Sequence, residues 1–291
     1  MSFFGLLKKN DSSIKAEILR LAKNEITMVP KPGKNLLHPD DSKIGGKPFL
    51  PADFAWPEFA DKKEGIARPL SFFCQLNLAQ LAPLDKDHLL PDHGMLSFFY
   101  ECESFRWGFD PEDKGAARVF YFEDTKGFAP CSIPEGIEEG YIMPEIAVAW
   151  QSKQSYPMYE EFTVHSDRDC DWEDYDKLLA KLGVSIEEDP EGHKVLGYAD
   201  LIQSEMLSDC ERTTRGLYCG DPAAYRNMTK EAAENIQEKA KEWTLLLQLG
   251  TIQTDDFEWM FGDCGMLYYY IRKEDLAQRK FDNAWFSVQC F

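Results

Sequence analysis

FFCQLNLAQL at 72–81 runs into PDHGMLSFFY at 91–100, and LLLQLGTIQT at 245–254 runs into FGDCGMLYYY at 261–270. Gln75 aligns with Gln248, and Asp92, Gly94, Met95 and Leu96 align with Asp263, Gly265, Met266 and Leu267. The interval from glutamine to glycine is 19 residues in the first copy and 17 in the second, so the connecting loops differ while the frame holds. Each copy reads as strand–loop–strand, with aromatic and β-branched runs bounded by turn residues. An internal repeat states architecture before it states chemistry. Two such motifs, about 68–123 and about 243–291, predict an α+β protein of mostly antiparallel β-sheets with a few helices. The chain is expected to form one compact unit over 1–291.

Outward from the repeats, Asp11–Asn24 has Ile14, Ile18, Leu21 and Ala22 on one helical face, with Asp11, Ser12 and Ser13 as candidate caps. Trp172–Leu182 reads as a helix stopped by Gly183. Lys230–Trp243 reads as another, with Asn227 and Thr229 as caps. The segment from Met28 to Pro57 is rich in proline and glycine and predicts an extended, irregular layer over the core. Residues 117–123 read as a strand, Ala147–Trp150 as the opening of one, Lys194–Ile202 as a strand and a bend, and Phe281–Phe291 as an edge strand.

The chain has 291 residues, 44% of them hydrophobic, which suffices for a large core without disulfide staples. Its 51 acidic against 32 basic side chains leave a formal net charge of −19. Such a balance opposes non-specific binding to phosphate backbones and to anionic membrane surfaces. It suits a basic protein as partner, because charge complementarity accelerates encounter. MSFFGLLKKN does not read as a signal peptide: its apolar run is short and its lysines follow the run instead of preceding it. A cytoplasmic protein with its eight scattered cysteines as free thiols is the resulting expectation.

Few phrases suggest chemistry. Neither C-x-x-C nor H-x-x-x-H occurs, and no cofactor is expected. Asp167, Asp169 and Asp171 alternate like the first ligands of a calcium loop, but Trp172 stands where the loop needs glycine and Leu178 where it needs a bidentate acid. They read foremost as an acidic cap on the following helix and only weakly as a cation site. Cys264 in FGDCGM resembles a nucleophile on a tight turn, yet the first copy carries His93 there, so the shared work falls to aspartate and glycine. Gln75 and Gln248 lie in apolar strands and need partners, since an unpaired buried amide costs about 1–3 kcal/mol. Backbone groups are one solution. A pocket between the motifs, lined by Gln75, Gln248, Asp92 and Asp263 under Trp56 and Trp107, is the other.

The ordered phrases IGGKPFLPADFAWP (44–57), PLSFFCQLNLAQL (69–81), LPDHGMLSFFY (90–100), HKVLGYADLIQ (193–203), WTLLLQLGTI (243–252) and FGDCGMLYYYIRKEDL (261–276) resemble the YwqG-like family of bacterial proteins of unknown function. The matching positions include Gly46, Pro48, Pro51, Pro57, Gln203 and Asp275 beside the glutamines, turns and Trp56 already named. The resemblance implies a cytosolic α+β protein with two similar β-rich motifs and no established activity or cofactor. It also implies an association with contact-dependent toxin systems, in which family members look like candidate immunity proteins; the net charge of −19 makes a basic toxin the expected target. A non-enzymatic binding protein is therefore the first expectation, and a small-molecule pocket or cryptic enzyme between the motifs the second.

Overall fold

A computed structural model describes residues 3–31, 38–168, 170–184, 192–221, 226 and 228–291. Its centre is a ten-stranded sheet. The first five strands are β1 (Lys23–Pro30), β2 (Lys43–Ile44), β3 (Ser71–Asn77), β4 (Met95–Tyr100) and β5 (Ala117–Phe122). The second five are β6 (Ile146–Ser155), β7 (His193–Leu196), β8 (Trp243–Leu249), β9 (Met266–Arg272) and β10 (Trp285–Gln289). In space they run β10-β9-β8-β7-β1-β6-β2-β3-β4-β5, every neighbour antiparallel. The order is the same from either end once β1–β5 are matched with β6–β10. Each motif lends its first strand to the other: β1 pairs with β7, and β6 with β2.

The register extends the match to single residues. Lys43 opposes Gln75 as Lys194 opposes Gln248. Ile44 opposes Ile146 as Val195 opposes Ile26. A bulge falls between Phe72 and Cys74 in one motif and between Leu245 and Leu247 in the other. The motifs therefore begin much earlier than the sequence boundaries of about 68 and 243. β2 is two residues long and ends in positive-φ Gly45 and Gly46, too short to show a period. β6 opens at Ile146, one residue before the expected Ala147, and runs to Ser155 because β1 pairs with it along the whole length of β1.

The sheet curls into a nearly closed barrel. The β4–β5 loop lies along the free edge of β10, where the Val288 N–H donates to the Trp107 carbonyl at 3.0 Å and the Trp285 indole N–H to the Gly108 carbonyl at 2.9 Å. Gly108 must be glycine: a Cβ there would stand 2.2 Å from the Phe286 carbonyl oxygen, and its φ is +82°. Inside, Ile26, Phe73, Leu96, Leu246, Leu267 and Ile271 pack as one core. Phe98 and Tyr269, equivalent positions in β4 and β9, meet at 5.1 Å, and the Tyr269 hydroxyl donates to the Phe99 carbonyl at 3.0 Å.

The remaining elements cover the barrel. α1 (Phe3–Leu21) starts well before the expected Asp11, so Asp11–Ser13 lie within it; it ends because β1 begins at Lys23. α2 (Leu78–Leu81) follows β3, and α3 (Tyr159–His165) follows β6. α4 (Trp172–Lys181) has Asp171 as its N-cap and packs with α1 and α3 through Ile14, Ile18, Phe162 and Tyr175. α5 (Leu207–Thr214) and α6 (Lys230–Ala240) bury Leu207, Cys210 and Ala240 against Trp243, Tyr268 and Tyr270. Thr229 caps α6; the other expected cap, Asn227, lies outside the described residues. α7 (Lys273–Ala277) links β9 to β10. The proline-rich stretch forms the expected layer, apart from residues 32–37 outside the described set, but it contains β2 and part of β1. Its Phe54 and Trp56 pack against Phe99 at 6.0 and 5.3 Å.

Candidate functional site

Gln75 and Gln248 do the same job in the two motifs. The Gln75 side-chain oxygen accepts the Phe49 N–H at 2.8 Å, and its Nε2 donates to the Pro39 and Asp41 carbonyls at 2.9 and 2.8 Å. Gln248 accepts the Asp200 N–H at 2.9 Å and donates to the Gly192 carbonyl at 3.1 Å and to Asp200 Oδ2 at 2.7 Å. Each amide staples the segments flanking a short strand, which satisfies its own buried polar atoms. Four strands separate the two glutamines in the sheet.

The other sequence candidates take separate places. Asp92 and Asp263 are exposed on their turns, Asp92 bonded to His93 Nδ1 at 2.5 Å. The glycines behind them make the close contacts: a Cβ on Gly94 would stand 2.5 Å from the Phe122 carbonyl oxygen, and one on Gly265 would stand 2.3 Å from that of Gln289. Trp56 donates its indole N–H to the Leu70 carbonyl at 2.8 Å. Trp107 is partly exposed and edge-on to Phe105 at 5.1 Å. Asp171 caps α4 by accepting the Asp174 N–H at 3.0 Å, Asp167 is exposed, and Asp169 lies outside the described residues. Among the described residues no group of three or more His, Cys, Asp or Glu side chains is placed to hold a metal ion.

A pair of buried lysines went unnoticed in the sequence. Lys43 Nζ meets Glu145 at 2.6 Å, and Lys194 Nζ meets Glu25 at 3.1 Å. Each ion pair joins the two motifs, since Glu25 lies on an exchanged strand and Glu145 immediately before the other. The signal was present as Glu-Ile at 25–26 and 145–146 and as Lys-(Ile/Val)-x-Gly at 43–46 and 194–197. In the second motif Asp200 adds a carboxylate to the lysine at 2.7 Å.

A cleft of about 820 Å³ lies at the seam where the sheet nearly closes. Lys114, Ala117 and Arg118 come from the first motif; Thr214, Arg272, Asp275, Asn283 and Trp285 come from the second. The loop carrying the first wall is pinned by Asp113, whose Oδ2 accepts the Gly108 N–H at 3.0 Å and whose carboxyl is pushed up by burial. Arg106 braces the same loop against Asp61.

Arg272 and Trp243 of the second motif's wall are held by Glu211, 1% exposed, which takes Arg272 at 2.8 Å, Arg215 at 2.5 Å and the Trp243 indole N–H at 2.9 Å. The Arg272 guanidinium also lies 4.5 Å over the Trp243 ring, so its charge is committed. Asp275 accepts the Asn283 amide at 2.9 Å. Arg118 differs. Its guanidinium lies 5.1 Å over the Phe120 ring, and no described carboxylate comes within 4.0 Å of it. The lining contains no histidine, cysteine or serine; its polar side chains are threonine, lysine, arginine, aspartate and asparagine. None of the six residues expected to form a pocket lines this one.

A family model described as a domain of unknown function, DUF1963, matches residues 42–290. The chain belongs to that family. No curated protein matches it.

Proposed function

We propose that this member of a family without an assigned activity is a non-catalytic binding protein that holds a small anionic ligand in the seam cleft between its two motifs. The observation that carries the reading is Arg118, a half-buried guanidinium without a carboxylate partner among the described residues, in a chain where acids outnumber bases 51 to 32. A carboxylate or phosphate would supply the missing charge-assisted hydrogen bonds, which the planar guanidinium makes in pairs. Lys114 adds a second cation on the same wall. A thermal-shift screen of metabolite carboxylates and phosphomonoesters, followed by calorimetric titration of any hit, tests this. Arg118→Ala should weaken the hit by about tenfold or more, the value of one charge-assisted bond. Hits that bind the variant as well as the parent, or a screen without hits, would end the proposal.

The net charge of −19 favours a second reading, in which the acidic exterior receives a basic protein. The YwqG-like resemblance makes a cationic toxin in a bacterial cytoplasm the natural occupant. Capture at low salt that vanishes at high salt, together with protection against that toxin, supports this reading; failure of both removes it.

A further inference from the structure

The β9–β10 connection, which begins with α7, separates the seam from a second cavity. Asp275, Asp282 and Asn283 face the seam, whereas Lys273, Leu276 and Arg279 line a space of about 630 Å³ on the other side, at the start of β1. Part of the lining of this end cavity is apolar, with Leu89, Leu90 and Pro91 from the loop before β4 and Leu276 from α7. The lining also carries three cationic side chains, Lys23, Lys273 and Arg279. Asp87 is the single carboxylate among the described lining residues, and its Oδ2 accepts the Asn24 N–H at 2.7 Å. Arg279 is bound to Glu123 at 2.5 Å, and Lys273 donates to the Lys241 carbonyl at 2.6 Å.

Lys23 has no such anchor. Its ammonium lies 4.0 Å over the Tyr198 ring, and no described carboxylate approaches within 4.0 Å. Burial lowers its pKa to about 8, against the pull of Glu161 and Asp87 and with the help of the Lys273 charge. A cation with no carboxylate in contact, in a cavity that also has apolar lining, is half of a site for a molecule with one anionic end.

We propose that the end cavity binds an aliphatic carboxylate, its head held by Lys23 and Lys273 and its chain laid against Leu90 and Leu276. This stands apart from the seam proposal: it uses other residues and another face of the β9–β10 connection. The test is calorimetric titration of the intact chain with decanoate, with decanol and decylammonium as probes of the same length but different charge. Decanoate should bind, decanol more weakly, and decylammonium not at all. Lys23→Met keeps the stem and removes the charge, and should weaken decanoate by about tenfold while leaving decanol unchanged. Ala277→Trp, at an exposed position on α7, should fill the space and abolish binding of both, with the melting temperature showing that the fold persists. Decanoate that fails to bind, that binds no better than decanol, or that binds both variants as tightly as the parent overturns the proposal.

Discussion

Lys43 and Lys194 occupy the same place in two copies of one frame, and their neutralisation should have very different costs. Lys194 is 6% exposed and its partner Glu25 2%. Lys194→Met would leave the Glu25 carboxylate buried with Lys153, at 3.1 Å and 58% exposed, as its remaining cation. Breaking a buried pair costs about 3–5 kcal/mol, and the surviving lysine argues for the lower end, about 3 kcal/mol. Lys43 is as buried, 4% exposed, but Glu145 is 46% exposed and can return to water once the lysine is gone. A pair with one solvated member contributes about 0–1 kcal/mol, and the substituted thioether carries no charge to desolvate, so Lys43→Met should stay within about 1 kcal/mol of the parent. Urea denaturation measures both, with midpoints compared at equal m. Adding Glu25→Gln to Lys194→Met should restore part of the loss, since the uncompensated charge is then removed. Equal losses for the two single variants, or a double variant no better than Lys194→Met, would refute the argument that partner burial and not strand position sets the cost.

Two further outcomes follow from the packing. A Cβ on Gly265 would stand 2.0 Å from the Phe261 carbonyl oxygen and 2.3 Å from that of Gln289, both backbone, so Gly265→Ala should cost more than about 4 kcal/mol, whereas Asp263→Asn on the same exposed turn should stay within about 0.5 kcal/mol; thermal melts of the pair check this. Burial pushes the His193 imidazole down to about 4, and its Nδ1 accepts the Gly250 N–H at 3.1 Å, so the folded state refuses a proton that the unfolded chain takes near pH 6.5. Its contribution is complete above about pH 6.5 and is lost as pH falls toward 4, by about 3 kcal/mol. His165, lowered to about 3 by burial and the Lys23 charge, acts in the same direction, while Glu161, raised to about 7 by burial, opposes both. His193→Gln should flatten the acid limb of urea-derived stability by that amount, and an unchanged limb would clear His193 of the effect.

The legible part of the fold was the part whose signal is local. D-x-G-M-L and the aromatic strands after it occupy a few consecutive residues in each copy, and their glycines are fixed by close approach to the end of the neighbouring strand, β5 or β10. Asp171 as cap and Gly183 as stop of α4, with Gly183 at a φ of +78°, are likewise short-range. The Glu-Ile and Lys-(Ile/Val)-x-Gly phrases are as diagnostic, but the interval widens from Glu25–Glu145 through Lys43–Lys194 to Gln75–Gln248, because each motif carries its own insertions. Strand exchange hid them further, since Glu25 answers a lysine of the other copy. α3 and α5 are short, and tertiary packing of Phe162 and Leu207, not a long period, makes them helices. The seam cleft had no sequence signature: Lys114 and Arg118 meet Asn283 and Trp285 only after the sheet curls and Trp107 bonds to Val288.

That closure also orders the relation between scaffold and site. Because β1 and β6 are exchanged, neither motif holds a complete set of its own ion pairs: Lys194 needs Glu25 from the first, and Lys43 needs Glu145 from the second. The exchange joins the motifs along β1 and β6, and the core contact of Phe98 with Tyr269 joins them across the barrel. With both fixed, β5 and β10 are brought to the seam as the two ends of one sheet, and their walls are free to differ. They do differ. Arg118 on β5 and Trp285 on β10 are matched by register, one opposite Phe99 and the other opposite Tyr270. The equivalent glutamines and glycines keep the same kinds of partner, while this equivalent pair carries an unneutralised cation on one side and an indole on the other. Keeping the geometry at Gln75 and Gln248 while diverging at Arg118 and Trp285 is what a repeated frame permits when the stability of the fold rests on the frame and not on the seam.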